Sequence, residues 1–294
     1  VTTVAGPARQ HLRALRRGVD RARCASWTTD RQPCWWLLLP DRLEVRLDRA
    51  RCAGGDPRGH AASLSAGAAV CAAEIGAAAA GLAVDVELRP DPADDLLVAV
   101  LRPADRLPDP RLAALDLLVG LRQCYRAGSD DEQLAGDLAA DLATAATRAV
   151  EVLALSPEQV CRSTRWVLDA ADRGRSRRVA PQNLTCAPAR VALATAGDTV
   201  TERVRAGRAL QLVLLQISRH GGAGGLVTGS VEVAAVRAIA ERQVCPGRRL
   251  QALVHIGRGA PGTRPGPRRP LAEILYEHSA TWPPPPPSPD DHDG

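Results

Sequence analysis

The sequence predicts an α+β layered domain with a pseudo-repeat, and three observations carry that expectation. Long segments show apolar residues at helical spacing, short segments alternate with period two, and both halves of the 294-residue chain hold helices together with short strands. The expected unit is one domain over 1–282, with halves at about 10–105 and 106–282. From Pro283 the chain reads as a solvated, disordered Pro-rich tail, 283–294.

Gln10 to Arg23 is an Arg-rich helix, followed by an irregular stretch containing Trp27, Trp35 and Trp36. Leu43 to Leu47 alternates as a half-buried strand should. The apolar run Ala61 to Val84 is mostly Ala, contains Glu74 and is interrupted by Gly67, Gly76 and Gly81, so it reads as a buried helix rather than a membrane span. Val84–Leu88 and Leu96–Leu101 are strands, with Pro90, Pro92, Pro103, Pro108 and Pro110 marking loops. Asp109–Cys124 and Glu132–Arg148 carry leucines at helical spacing, and Val150–Leu155 is a short strand. Ser156 three residues before Gln159, with Pro157 between, is a capping-box signature for a helix to about Asp172. Arg173–Ala187 is a loop and Arg190–Thr195 a strand. A long helix from about Thr201 to His220 ends at Gly221, where a left-handed cap is expected. A helix at Glu232–Gln243 and a strand at Leu250–Ile256 complete the fold.

All 38 basic residues are Arg, which excludes mechanisms that need a lysine, such as a P-loop or a Schiff base. The net charge of +5 is spread among 33 acidic residues, and aromatics that could stack on bases are scarce, so no nucleic-acid partner is expected. Arginine forks nevertheless suit phosphate, because they bind oxygens in pairs. Eight cysteines lie far apart with no Cys-x-x-Cys pair, against zinc or redox motifs and in favour of reduced, buried thiols in a cytoplasmic protein.

Several segments could carry chemistry. In Arg122-Gln123-Cys124-Tyr125-Arg126 two guanidinium forks can converge on one phosphate; the alternative is a pair of solvated arginines at a helix end. Arg268-Arg269, set among Gly and Pro, is either a second basic contribution to an anion site or an exposed loop. The turn Gly221 to Gly225 follows a helix C-terminus, whose dipole repels anions, and so is a poor phosphate cradle. His220 and His255 have no partner at base or ligand spacing. No catalytic side chain and no metal ligand set is assigned.

The order of these pieces is more specific than any one of them. An Ala206-Gly207-Arg208-Ala209-Leu210-Gln211 helix, a glycine-led turn, Glu232 and Arg268-Arg269-Pro270-Leu271 follow one another in that order, and the earlier segments Leu64 to Ala69 and Asp56 to Gly59 fit the same pattern. In this the chain resembles the Acg-like branch of the FMN-dependent nitroreductase family, from roughly Arg13 to Leu275. The resemblance implies a nitroreductase-like fold in which the two halves imitate the family's dimer within one chain. It implies FMN as cofactor and NAD(P)H-dependent two-electron chemistry on nitroaromatic or quinone-like acceptors; a monomer without a membrane partner is expected. It places Arg122, Arg126, Arg268 and Arg269 on the FMN phosphate. Gln32 and Pro33 match a His-Asn-Thr-Gln-Pro-Trp motif that addresses the flavin ring, while Thr29, Asp30 and Cys34 stand where the His, Asn and Trp would be. Gly224 and Gly225 would run past the ring, on which Trp35 or Trp36 could stack. The altered Thr29–Cys34 segment leaves a second class open: a non-catalytic protein that holds or sequesters flavin, or a degenerate member with a regulatory role.

Overall fold

A computed structural model describes residues 6–25, 32–52, 56, 58–121, 142, 147, 149–172, 189–227, 231, 233–257 and 268–277. Arg122, Arg126, the loop expected at Arg173–Ala187 and the tail lie outside the described residues, as does the helix expected at Glu132–Arg148 apart from Leu142 and Thr147.

The Ala-rich run forms helix α2 (His60–Ala79), and its small side chains let it be surrounded on all sides. It is long and apolar enough to cross a membrane by composition, yet 94% of its apolar window is buried inside the protein. Asp56 caps it, accepting from the backbone N–H of His60 at 2.7 Å and of Ala62 at 2.9 Å. On one side α2 packs against α1 (Gly6–Ala22), where Gly18 and Gly76 permit close approach. On the other it crosses a second long helix, Val200–Arg219. There Gly67 and Gly207 meet, each the eighth residue of its helix. A Cβ on Gly67 would lie 2.0 Å from the Val204 carbonyl oxygen, and one on Gly207 would lie 2.1 Å from that of Leu64.

Two sheets flank these helices. The first contains β1 (Cys34–Leu38), β2 (Leu43–Leu47), β3 (Val84–Leu88), β4 (Leu97–Pro103) and a strand near the C-terminus, in the order β3-β4-β2-β1 followed by that strand. Two short helices come next, α3 (Pro110–Ala113) and α4 (Asp116–Leu121), and then β5 (Glu151–Ala154) and α5 (Pro157–Asp172). After β6 (Ala189–Thr195), the long helix at Val200–Arg219 is α6; β7 (Ala223–Leu226), α7 (Ala234–Val244), β8 (Arg249–Gly257), α8 (Leu271–Ile274) and β9 (Leu275–Glu277) follow. The second sheet has the order β5-β6-β8-β7.

Read from its β7 edge, the second sheet repeats the order β3-β4-β2-β1 of the first, with the same antiparallel pairings. In each, a long helix joins the second strand to the third, and the central pair has a register shift, between Val45 and Arg46 in one sheet and between Leu193 and Ala194 in the other. One core lies between the first sheet, α1 and α2 and also takes in Val204 and Leu215 of α6; a second lies between the other sheet and α6 and takes in Leu64 of α2. A third, containing Trp166, Val236 and Ala240, covers the far face of the second sheet.

Four expectations are corrected. Trp35 and Trp36 are not in an irregular stretch but in β1, where Cys34, Trp36 and Leu38 alternate into the core. The single helix expected over Asp109–Cys124 is broken at Ala114-Leu115: Asp109 caps α3, and α4 restarts at Asp116, which pairs with Arg17 and Arg21 at 2.7 Å. The Gly221–Gly225 turn ends early, because Ala223 to Leu226 pair with β8. Gly221 itself has the expected left-handed φ of 74°. Finally, α8 and β9 were not anticipated; β9 returns the chain to the first sheet and pairs in parallel with β1. The capping box at Ser156 and Gln159 forms as expected, in both directions.

Candidate cofactor site

Two of the segments singled out in the sequence meet at the start of β1. Parallel pairing of Trp36 with Leu275 fixes α8 and β9 beside β1, which carries the preceding Arg268-Arg269-Pro270 to Gln32. The Arg269 backbone N–H donates to Gln32 Oε1 at 3.3 Å, and the Arg269 carbonyl accepts from Arg23 Nε at 2.8 Å. Arg23 is in turn held by Asp20 at 2.7 Å. Gln32 is buried and has φ 47°, a left-handed conformation that non-glycine residues adopt at a cost.

The Arg269 guanidinium is largely enclosed. Its Nε lies 3.3 Å from Glu273 Oε2, and its Nη2 donates to the Glu273 carbonyl at 3.1 Å. Its Nη1 is buried and has no acceptor among the described residues. A buried donor left without an acceptor costs about 1–3 kcal/mol, and an anionic oxygen is the group that relieves it best. Cys34, one residue past Pro33, is buried in the core, and burial pushes its thiol well above the usual range, with the nearby Cys52 and Asp48 adding to the shift. It is no nucleophile.

Gly224 and Gly225 are not brought to this place. They belong to β7, at the edge of the other sheet, opposite Ile256 and His255. Gly224 has a packing reason to be glycine: a Cβ there would stand 2.4 Å from Leu214 Cδ2. Trp36 is core; Trp35, on the opposite face of β1, packs edge-on to Tyr276 at 5.6 Å with the Arg46 guanidinium 5.6 Å from its ring centre.

The sequence reading passed over Arg23, which follows several other arginines just past the end of α1, and it treated His255 as partnerless. His255 Nδ1 in fact accepts from the buried Arg190 Nε at 3.0 Å, so its ring is neutral; burial and the Arg190 charge bring it down to about 3. It also missed a buried ionic network where the starts of α2 and α6 meet β8. Asp198 receives Arg203 Nε and Arg237 Nη1, both at 2.9 Å. Gln251 Nε2 reaches Thr195 Oγ1 at 2.8 Å, while its carbonyl oxygen lies 3.0 Å from His60 Nε2. Burial opposes ionisation of Asp198, but the bonds from Arg203 and Arg237 outweigh it and hold the carboxylate well below its usual range. Burial, then the Arg237 and Arg203 charges, bring His60 down to about 4.

No known family profile and no curated protein sequence matches this chain. Among solved structures it is similar to the FMN- and NADPH-dependent nitroreductase NfnB from sphigopyxis sp. strain HMH, with a TM-score of 0.44 and 16% identity over 55% of this chain and 97% of that one. It is similar to NfnB from Mycobacterium smegmatis in complex with NADPH, with a TM-score of 0.43 and 17% identity over 55% and 97%. A nitroreductase with bound FMN from Bacteroides fragilis gives a TM-score of 0.42 and 16% identity over 53% and 94%.

Proposed function

We propose that this chain is an FMN-dependent NAD(P)H oxidoreductase of nitroreductase type, acting on nitroaromatic or quinone-like acceptors. The observation that carries the reading is the meeting of Gln32 with Arg268-Arg269, segments more than 230 positions apart, around a buried guanidinium N–H that has no acceptor among the described residues. Arg269 would hold the FMN phosphate, with Arg268 beside it and Arg122 and Arg126 as the further arginines of the clamp. Bound there, FMN supplies the two-electron chemistry, and the protein's part is to bind the phosphate and orient the ring. We place the two halves of the chain as counterparts of the two subunits of a dimer. The shared strand order, the matching register shifts and the reciprocal Gly67 and Gly207 contacts support that placement.

One observation favours a second reading, a protein that holds flavin without turning it over. Gln32 Oε1 accepts from the Arg269 backbone, so this oxygen is engaged within the protein rather than offered to a flavin ring. Steady-state NAD(P)H oxidation with a nitroaromatic acceptor separates the two. Turnover that saturates with acceptor is expected for the enzyme, whereas bound flavin that NAD(P)H never reduces would leave the holding protein.

A further inference from the structure

We infer that Arg23 and Gln32 are positioning residues that brace the Arg269 peptide so that its guanidinium is presented to an anion; the identity of that anion as the FMN phosphate rests on the reading above. Four observations converge. The Arg269 peptide is gripped on both sides, its N–H by Gln32 Oε1 at 3.3 Å and its carbonyl by Arg23 Nε at 2.8 Å. Arg23 is steadied by Asp20 at 2.7 Å, so one end of the brace is anchored on α1. Gln32 keeps a left-handed φ of 47° immediately before Pro33, although both a side chain and a following proline disfavour helical conformations there. Backbone strain of this kind persists where surrounding contacts over-determine it, and such positions gather at ligand clamps. Lastly, the braced residue owns the buried Nη1 that has no acceptor among the described residues, while its Nε and Nη2 are tied to Glu273.

The brace explains why a glutamine is buried at the mouth of β1. Its carbonyl oxygen serves the protein backbone, a role different from the ring contact the family motif implies. Recognition by an arginine fork depends on placement within about 0.5 Å, so loosening the peptide should cost affinity for a phosphate without removing any charge from the site.

The test uses the full-length protein and four forms: wild type, Arg23→Met, Arg23→Gln and Gln32→Leu. Hydrogen–deuterium exchange of the peptide covering 268–277 is measured without cofactor, and FMN and riboflavin are titrated by fluorescence. Arg23→Met and Gln32→Leu should each speed exchange of that peptide by about 10-fold while leaving β8 protected. They should weaken FMN by about 10-fold and leave riboflavin unchanged. Arg23→Gln, which keeps a donor but loses the charge, should restore most of both properties. Unchanged exchange in Arg23→Met and Gln32→Leu overturns the brace, even if FMN binds. Equal loss in Arg23→Gln and Arg23→Met overturns positioning in favour of charge. A wild-type chain that takes up neither FMN nor riboflavin overturns the flavin reading and leaves the exchange result to decide the brace.

Discussion

Adding one methyl group where α2 crosses α6 should push the two helices apart. In Gly67→Ala the new Cβ would lie 2.0 Å from the Val204 carbonyl oxygen and 2.9 Å from Gly207 Cα, whereas real Cβ contacts begin near 3.0 Å. The partners are backbone atoms of a helix, so no side chain can swing away; the helices must part by about 1 Å, and contacts along them lose a quarter to a half of their attraction. The expected cost is about 3 kcal/mol, or a fall in Tm of about 5 °C for a chain of this size. Gly207→Ala should cost a similar amount, since its Cβ would meet the Leu64 carbonyl at 2.1 Å. Because one separation accommodates both methyls, the double variant should be destabilised by about 2 kcal/mol less than the sum of the singles. Gly120→Ala is the control: among the described residues its Cβ would meet only Arg21 Nη1, at 3.6 Å, on an exposed helix, so it should be neutral or stabilising by about 0.5–1 kcal/mol. Denaturant titration followed by circular dichroism measures all four. A Gly67→Ala protein within about 0.5 kcal/mol of wild type, or strictly additive singles, would refute the reciprocal crossing.

Asp198→Asn leaves Arg203 and Arg237 buried against a neutral amide and should cost about 3–5 kcal/mol in denaturant titration; a loss below 1 kcal/mol would show that the network is not a structural tie. His60 is held near 4 against an ordinary 6.5, so the unfolded chain binds the extra proton first as pH falls. Stability should therefore be full above pH 6.5 and decline between 6.5 and 4, by about 3 kcal/mol from His60, with His255 extending the decline toward pH 3. His60→Gln should flatten the upper part of that profile, and an unchanged profile would contradict the assignment. Thr199→Ala removes the capping box with Glu202 at the start of α6 and should cost about 1 kcal/mol, read as a shift in the denaturation midpoint.

Most elements were legible because their signals are local. Leu43–Leu47 alternates, Ser156 and Gln159 cap a helix, and Gly221 stops one, each within a few residues. What escaped depends on partners far along the chain. Trp35 and Trp36 form a strand because β2 and β9 pair on either side of them, and β9 is only three residues long. Asp109–Cys124 has helical periodicity throughout, but nothing in that periodicity shows that Asp116 will be taken up by two arginines nearly a hundred positions earlier. At the site, the ordered motifs singled out Gln32 and Arg268-Arg269 separately, one for the flavin ring and the other for the phosphate; that they meet depends on the long-range pairing of β1 with β9. Arg23 was not, since its role depends on a backbone carbonyl 246 positions away. Gly224 is required for packing against Leu214, a need that the sequence alone does not distinguish from a place beside a ligand.

The visible absorption spectrum of the purified chain, with the released chromophore identified after denaturation, decides whether the protein carries FMN. Flavin bands with about one FMN per chain, lost in Arg269→Met, are the predicted result. A colourless protein that takes up no added FMN, although correctly folded by circular dichroism, would contradict it.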